Sequence, residues 1–175
     1  MGQLAPILEI LHRSLDAFRS LHASGTSSRS SWELWWAGPR RVRQQFGGNL
    51  IVVDGAWWWL TQPDGKVISN EDNSEVGVGL GPGIEILHGR DMLGDVLLQF
   101  RDQVRIAARD AALLRAIPRY DEGGSRWWDY REPFEVAIDA QTGVVLRTPH
   151  VRVDDISYDE TFADELFSPT PRKRR

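Results

Sequence analysis

The residues of this chain that could act in catalysis or bind a metal are few and widely spaced. His88 precedes Asp91 by three positions, a spacing at which a carboxylate could orient an imidazole for acid–base work. No nucleophile lies beside them in a recognisable context, and a hydrogen bond at a helix edge explains the pair better. The acidic pairs Asp154-Asp155 and Glu71-Asp72 are typical of solvated turns. We therefore predict no catalytic residues, no metal site and no enzymatic activity.

A glycine-rich stretch is the remaining candidate for cofactor chemistry. Gly77, Gly79, Gly81 and Gly83 alternate with other residues, but this spacing matches neither the dinucleotide-binding motif nor the phosphate loop of nucleotide hydrolases. A surface loop is the better interpretation. The 175 residues include no cysteine, which excludes disulfides, thiol catalysis and cysteine-bound metals. We predict no cofactor.

Charge and hydropathy limit the partners. The net charge is −4, with 21 basic and 25 acidic residues, and the basic residues are dispersed apart from 40–43 and the end of the chain. Because nucleic-acid binding draws on concentrated positive charge, this balance argues against a nucleic-acid partner. No apolar run reaches the 18 or so residues of a membrane span. The start lacks a basic stretch followed by an apolar core, so the sequence as written predicts a cytoplasmic protein.

Two amphipathic helices are the elements expected to cover the rest of the fold. Apolar residues recur at helical spacing over 4–21, which predicts a first helix with one apolar stripe. A second is predicted over 84–100, with a break at Gly89. Between the first helix and the strands, residues 20–31 are rich in Ser, Thr and Gly and predict a polar edge strand followed by a loop.

Residues 31–69 predict an antiparallel meander of alternating strands with short loops. In its first strand, Trp32, Leu34 and Trp36 share one face, while Trp35 lies on the other. The next strand alternates in the same way, so that Arg41 and Arg43 share a face that Trp35 could also occupy.

Three consecutive tryptophans follow the turn signal Asp54-Gly55. A two-residue loop there predicts that Val52 pairs with Trp57, and Leu50 with Trp59, on one face of a hairpin. Each indole carries about 150–250 Å² of surface, so this side presents roughly 300–500 Å², more than a monomer commonly leaves bare. A helix, a ligand or a partner chain is therefore expected to cover each side of the sheet.

The last third of the chain returns to strands. Residues 104–118 could be helical from their alanines, but we favour two strands with a turn near Arg109-Asp110. A polar hairpin tip is predicted over 120–131. Further strands and one short helical turn are expected, in order, at residues 134–138, 144–147, 151–158 and 162–167.

Several short stretches, in this order and spacing, resemble the LolA family of lipoprotein-carrier and lipid-binding proteins. They include Val-Asp-Gly-Ala-Trp-Trp at 53–58 and Ile-Asp-Ala-Gln-Thr-Gly at 138–143, and the complete set is 15–23, 36–43, 53–58, 138–147 and 156–167. The resemblance implies an α+β fold, a strongly curved antiparallel sheet or incomplete barrel whose concave face is covered by helices over an apolar cavity for acyl chains. It implies no catalysis and favours an extracytoplasmic location. We predict one domain over 1–168 and a basic disordered tail over 169–175.

Two functions for the aromatic residues remain open beside plain core packing. In the first, the protein carries or senses a hydrophobic small molecule or lipid in a cavity. That cavity would be lined by Trp32, Leu34, Trp36, Val52, Trp57, Trp59, Met92, Leu93 and Leu97. In the second, the helices fill the cavity, and the chain is a protein-interaction module or homodimer. Tryptophan and arginine are enriched at interface hot spots, so this interface would use Trp35, Arg41, Arg43, Trp127 and Trp128.

Overall fold

The computed structural model describes residues 4–28, 30–71, 81–93, 96–119 and 132–169. In these ranges eleven strands form one sheet, and every neighbouring pair is antiparallel. The strands are β1 (Leu21–Ser27), β2 (Ser31–Trp36), β3 (Arg41–Phe46), β4 (Asn49–Asp54), β5 (Trp57–Thr61), β6 (Val67–Asn70), β7 (Val96–Ile106), β8 (Arg109–Pro118), β9 (Phe134–Asp139), β10 (Val145–Arg147) and β11 (Val151–Tyr158). Their order is β6-β5-β4-β3-β2-β1-β11-β10-β9-β8-β7. The sheet is curved and open, so the predicted α+β half-barrel is confirmed.

The helices are short. They are α1 (Leu4–His12), α2 (Pro82–Glu85) and α3 (Gly89–Leu93), with 3-10 turns at Ser14–Asp16 and Asp164–Phe167. None of the described helices has the length and hydrophobicity that a membrane span requires. The predicted turn within 162–167 is confirmed. The predicted basic tail lies outside the described residues from 170 onward.

The first helix is shorter than its sequence pattern predicts. It ends at His12, and the apolar residues that continue the pattern pack elsewhere: Phe18 in a loop and Leu21 in β1. The strand prediction for this region is confirmed, but its placement at an edge is wrong. β1 lies near the middle of the sheet, paired with β2 on one side and β11 on the other. Pairing on both sides satisfies its backbone, which explains how so polar a strand is accommodated.

The predicted second helix is wrong beyond Leu93. Val96 begins β7, an eleven-residue strand that pairs with β8 along nearly its whole length. Helical and strand spacings are hard to distinguish in a short apolar run. Here the hydrogen-bonded pairing with β8 determines that the residues form a strand. The adjacent prediction of two strands in 104–118 is confirmed, but the turn lies two residues before the predicted position, at Ala107 and Ala108, whose φ angles are 49° and 59°.

The meander of β2 to β6 is confirmed, with one change of register. The loop after β4 is Gly55-Ala56, so Asp54 pairs with Trp57 and Val52 pairs with Trp59. Gly55 has a φ of 61°, which glycine adopts without strain. This register differs by two residues from the predicted one. Because side chains alternate with a period of two, Trp57 and Trp59 still share a face with Val52, as predicted.

Two apolar clusters cover opposite faces of the sheet where β8 and β9 lie. Ala111 and Ala137 belong to the first cluster, whereas their chain neighbours Ala112 and Ile138 belong to the second. Successive residues of a strand point to opposite faces, so the clusters are separated by the sheet. Helix α2 packs against β1, β2 and β3 on the first cluster, and α1 contacts α3 and β7 on the second. We call the face bearing Trp32, Leu34 and Trp36 the inner face, and its opposite the outer face.

Candidate functional site

The inner face of β1 to β4 is filled by the chain's own side chains. Trp32, Leu34 and Trp36 are all buried there, in one cluster with Ile84 and Leu87 from the segment that includes α2. These three predicted cavity residues are therefore together on one face. They form part of a packed core.

The contact between α2 and the inner face is close but leaves polar atoms unsatisfied. A Cβ added to Gly83 would lie 2.9 Å from Trp32, so the indole and the α2 backbone are in direct contact. Beside it, the fully buried amide of Gln44 and Nε1 of Trp32 have no hydrogen-bond partner in the described structure. An unsatisfied buried polar group costs about 1–3 kcal/mol. The inner face is thus closed at some energetic cost.

Three other predicted cavity residues lie on the outer face, and this part of the prediction is wrong. Val52 pairs with Arg43 on β3 and with Trp59 on β5, and Trp57 shares the face of Trp59. The residues that β4 and β5 contribute to the inner cluster are their alternates, such as Ile51 and Trp58. The two-residue loop between Phe46 and Asn49 sets this parity.

The remaining predicted cavity residues also lie apart from Trp32. Met92 and Leu93 are buried in the second cluster, with Leu11 of α1, on the face opposite the one that Trp32 occupies. Leu97 lies in β7 and is 48% exposed. The structure therefore does not bring these residues into a cavity with Trp32 and Trp36.

The predicted interface residues Trp35, Arg41 and Arg43 do share the outer face. The Trp35 indole stacks on the His22 ring at a centroid distance of 5.1 Å and an angle of 8°, and the Arg43 guanidinium lies 5.8 Å from the indole centroid. His22 Nε2 is 2.9 Å from Glu33 Oε1. Burial lowers the pKa of Arg43 from its ordinary value, and the charge of Glu33 acts in the opposite direction. The group forms an aromatic and charged surface held by mutual contacts.

The tryptophans of β5 lie on the same face, beyond β4 and toward the β6 edge. The Trp57 and Trp59 rings stack with centroids 6.3 Å apart and an interplanar angle of 18°, and Trp57 is 43% exposed. We call Trp35, Arg43, Trp57 and Trp59 the outer aromatic surface. The other two predicted interface residues, Trp127 and Trp128, lie outside the described residues.

A segment that sequence reasoning did not connect to the site lies against the same face. Arg41 Nη2 donates to Asp164 Oδ1 at 2.7 Å, and Arg43 Nη1 donates to the carbonyl of Leu166 at 3.1 Å. The Arg41 guanidinium also lies 4.6 Å from the ring centroid of Phe167, which is buried. Burying a phenylalanine contributes about 1.5–3 kcal/mol and an exposed ion pair about 0.2–1 kcal/mol. The acidic and aromatic composition of 164–167 was the only sequence feature that could have indicated a contact with the two arginines.

A separate groove lies between α1 and the β7–β8 hairpin. Its volume is about 700 Å³, and its apolar lining includes Ile7, Ile10, Phe100 and Val104. Sequence reasoning missed it because it assigned residues 96–100 to a helix, so no hairpin stood beside α1.

The residues first considered for catalysis lie apart from these surfaces. His88 Nδ1 and Asp91 Oδ2 are 3.4 Å apart across one turn at the start of α3, the helix-edge contact that the sequence indicates. Across residues 4–28, 30–71, 81–93, 96–119 and 132–169, no three His, Asp or Glu side chains stand close enough to hold a metal ion.

The fold has counterparts among solved structures. No protein-family model matches the sequence, and no curated protein matches it. Among solved structures, MucB is similar at 19% identity with a TM-score of 0.56, over 95% of this chain and 63% of that one. MucB in complex with MucA(peri) is similar at 17% identity with a TM-score of 0.51, over 93% and 59%.

This chain spans about three-fifths of the length of those MucB structures. A LolA superfamily protein, NE2245 from Nitrosomonas europaea, is similar at 12% identity with a TM-score of 0.33, over 92% of this chain and 96% of that one. At these identities the likeness to MucB is one of fold.

Proposed function

We propose that this protein is a non-enzymatic binding module that recognises a protein partner through the outer aromatic surface. The observation that carries the proposal is the pair of stacked, partly exposed rings of Trp57 and Trp59, on the same face of the sheet as Trp35 and Arg43. The inner face, by contrast, is already occupied by Ile84 and its neighbours.

The chemistry of the surface favours a protein over a small molecule. Tryptophan and arginine together are the side chains most enriched at interface hot spots, and they act best when water is excluded around them. Here the rings lie on the face of a sheet, a shape suited to another protein surface. That MucB has been crystallised in complex with MucA(peri) supports the proposal for a chain of similar fold.

A double variant, Trp57→Ser with Trp59→Ser, should weaken partner binding about 30-fold or more, because a hot-spot side chain contributes about 2 kcal/mol or more. The measurement is quantitative affinity purification of the full chain, followed by titration of the specific protein that wild type retains. Light scattering on the same samples detects a homodimer, in which the partner is a second copy.

The matched control is Leu97→Ser, which removes an equally exposed apolar side chain from β7 at the far edge of the sheet. It should leave the affinity unchanged. Equal weakening by both variants, or a wild-type chain that is monomeric and retains no specific protein, would contradict the proposal.

A second candidate function is the binding of a lipid or acyl chain, and the groove beside α1 favours it. Its volume of about 700 Å³ lies within the usual range for small-molecule sites, roughly 300–1,000 Å³. Ile7 and Ile10 from α1 line it together with Phe100 from β7. An acyl chain there would gain about 25 cal/mol for each Å² of apolar surface removed from water.

Ile7→Glu should weaken binding of a fluorescent acyl probe at least about tenfold, since burying an unpaired carboxylate costs more than the 1.4 kcal/mol to which that factor corresponds. Leu8→Glu is the matched control, because Leu8 is the next residue of α1 and is exposed. Probe fluorescence and native mass spectrometry give the readout. This function would be excluded if the wild-type chain failed to bind the probe, or if Ile7→Glu and Leu8→Glu bound it equally well.

A further inference from the structure

We infer that Arg41 and Arg43 form a docking site for a short segment of a partner protein, and that this segment has an acidic residue followed by an aromatic one. Asp164–Phe167 of this chain occupies the site in the absence of the partner, as an internal stand-in. This inference rests on the proposed function and names the chemistry of the partner. The site lies on β3, on the same face as the outer aromatic surface.

The stand-in segment shows what the two arginines recognise. The carboxylate of Asp164 pairs with Arg41, the backbone carbonyl of Leu166 accepts from Arg43, and the Phe167 ring packs beneath the Arg41 guanidinium. Through these contacts the two arginines bind one acidic group, one main-chain carbonyl and one aromatic ring within four residues. A partner segment with an acidic residue three positions before an aromatic one presents the same groups.

The internal segment leaves part of the site unused. Arg41 pairs with Asp164 through Nη2 only, and its buried Nε has no hydrogen-bond partner among the residues described. A guanidinium can bind a carboxylate through two parallel hydrogen bonds, which are stronger and more directional than one. The Asp164 side chain is 89% exposed, so water competes for this ion pair. A partner carboxylate that engages both Nε and Nη2 would therefore bind better than the chain's own.

The chain is fixed just before the segment, so the end of β11 stays in place when the segment leaves. The backbone N–H of Arg19 donates to Asp159 Oδ1 at 2.7 Å, and Ser20 Oγ donates to the carbonyl of Glu160 at 2.6 Å. These bonds hold the end of β11 in place. The residues from 161 to 167 then behave as a tethered ligand, which competes with a partner at an effective concentration in the millimolar range.

The test uses the full chain and a labelled peptide with the sequence of residues 159–169 as the probe. In fluorescence anisotropy, the opened variant Asp164→Lys with Phe167→Ser should bind the peptide at least about tenfold more tightly than wild type, since its internal competitor is removed. Adding Arg41→Glu to the opened variant should abolish that gain. Glu165→Lys is the control, because it makes the same charge change at an exposed residue of the same turn.

A second variant covers the case in which the opened chain fails to fold. Asp164→Lys alone keeps Phe167 and should bind the peptide about threefold or more tightly than wild type, with an unchanged circular dichroism spectrum. Equal affinity of wild type, Asp164→Lys and the opened variant would overturn the inference, as would a gain that survives Arg41→Glu. Concentration-dependent dimerisation of the opened variant would show that the occupant is a second copy, and would also overturn it. The loss of partner binding in the Trp57 and Trp59 variant is a separate result, so the proposed function can stand if the docking site fails.

Discussion

Asp139→Ala is expected to lower the free energy of unfolding by about 3–5 kcal/mol, because it breaks a buried ion pair from one side. Asp139 is fully buried and accepts hydrogen bonds from Arg109 Nε at 2.8 Å and from the Tyr158 hydroxyl at 3.1 Å. It also accepts from the backbone N–H groups of Gln141 and Thr142, at 2.8 and 3.2 Å. Truncation leaves these donors without their acceptor at the junction of β8, β9 and β11. Urea denaturation followed by tryptophan fluorescence measures the loss.

Asp154→Ala is the control for this prediction. Asp154 is an exposed residue of β11 whose carboxylate lies 3.3 Å from Arg152. Exposed pairs of this kind contribute about 0.2–1 kcal/mol. A loss below 1 kcal/mol for Asp139→Ala, or one no larger than that for Asp154→Ala, would show that the buried network does not stabilise the junction.

The same carboxylate gives the stability a defined pH dependence. Burial by itself would raise the pKa of Asp139, but the hydrogen bond from Arg109, its charge and the two backbone N–H groups lower the pKa below the ordinary value of 3.8. A group whose pKa is lower in the folded state binds protons more readily when unfolded. Its contribution is therefore complete above the unfolded pKa and is lost as the pH falls through the folded pKa. The free energy of unfolding of wild type should therefore fall by this contribution below about pH 4, whereas that of Asp139→Asn should show no such loss.

Tyr158 keeps its proton throughout the useful pH range. Burial is the main cause that raises the pKa of its hydroxyl far above the ordinary 10.0, with the nearby charge of Asp139 acting in the same direction. The phenol therefore remains a donor to Asp139. It receives a hydrogen bond from Thr142 at 2.9 Å in return.

The strands of the meander were predictable because each carries its own alternation. Trp32, Leu34 and Trp36 mark the inner face in β2, and Arg41 and Arg43 mark the outer face in β3. Neither assignment needs information from outside the strand. The grouping of Trp35 with the two arginines followed from the short loop between β2 and β3.

What could not be predicted depends on contacts between distant residues. Leu97 carries a helical pattern, yet β8 pairs with it through Ile117. Val52 was wrongly placed on the face of Trp32 and Trp36, because its face depends on the parity of the loop before β4. The docking contact between Arg41 and Asp164 joins residues 123 positions apart. Such pairs leave no local pattern, since either residue alone is compatible with a solvated surface.

Gly25→Ala is expected to lower the free energy of unfolding by about 4 kcal/mol or more, in the range of exceptional single substitutions. A Cβ at this position would lie 2.0 Å from the carbonyl oxygen of Arg152 and 2.6 Å from the Trp32 ring. Gly25 stands at the bulge where the pairing of β1 with β11 shifts register. The carbonyl belongs to the backbone of the neighbouring strand, so relief requires β1 and β11 to separate. Thermal and urea unfolding of the purified variant measure the effect.

Two further variants separate the effect of crowding at Gly25 from that of backbone conformation, and the clash with the Trp32 ring from the clash with the carbonyl. Gly55→Ala tests conformation without crowding, because its Cβ would meet nothing within 4 Å while its φ is 61°; it should cost about 1 kcal/mol. Trp32→Leu combined with Gly25→Ala removes the clash with the ring but not the one with the carbonyl. Since the clash with the backbone carbonyl is the closer one, the double variant should regain little of the stability that Gly25→Ala loses. Full recovery would mean that Trp32 alone requires the glycine, and that the junction of β1 with β11 tolerates a side chain at its bulge.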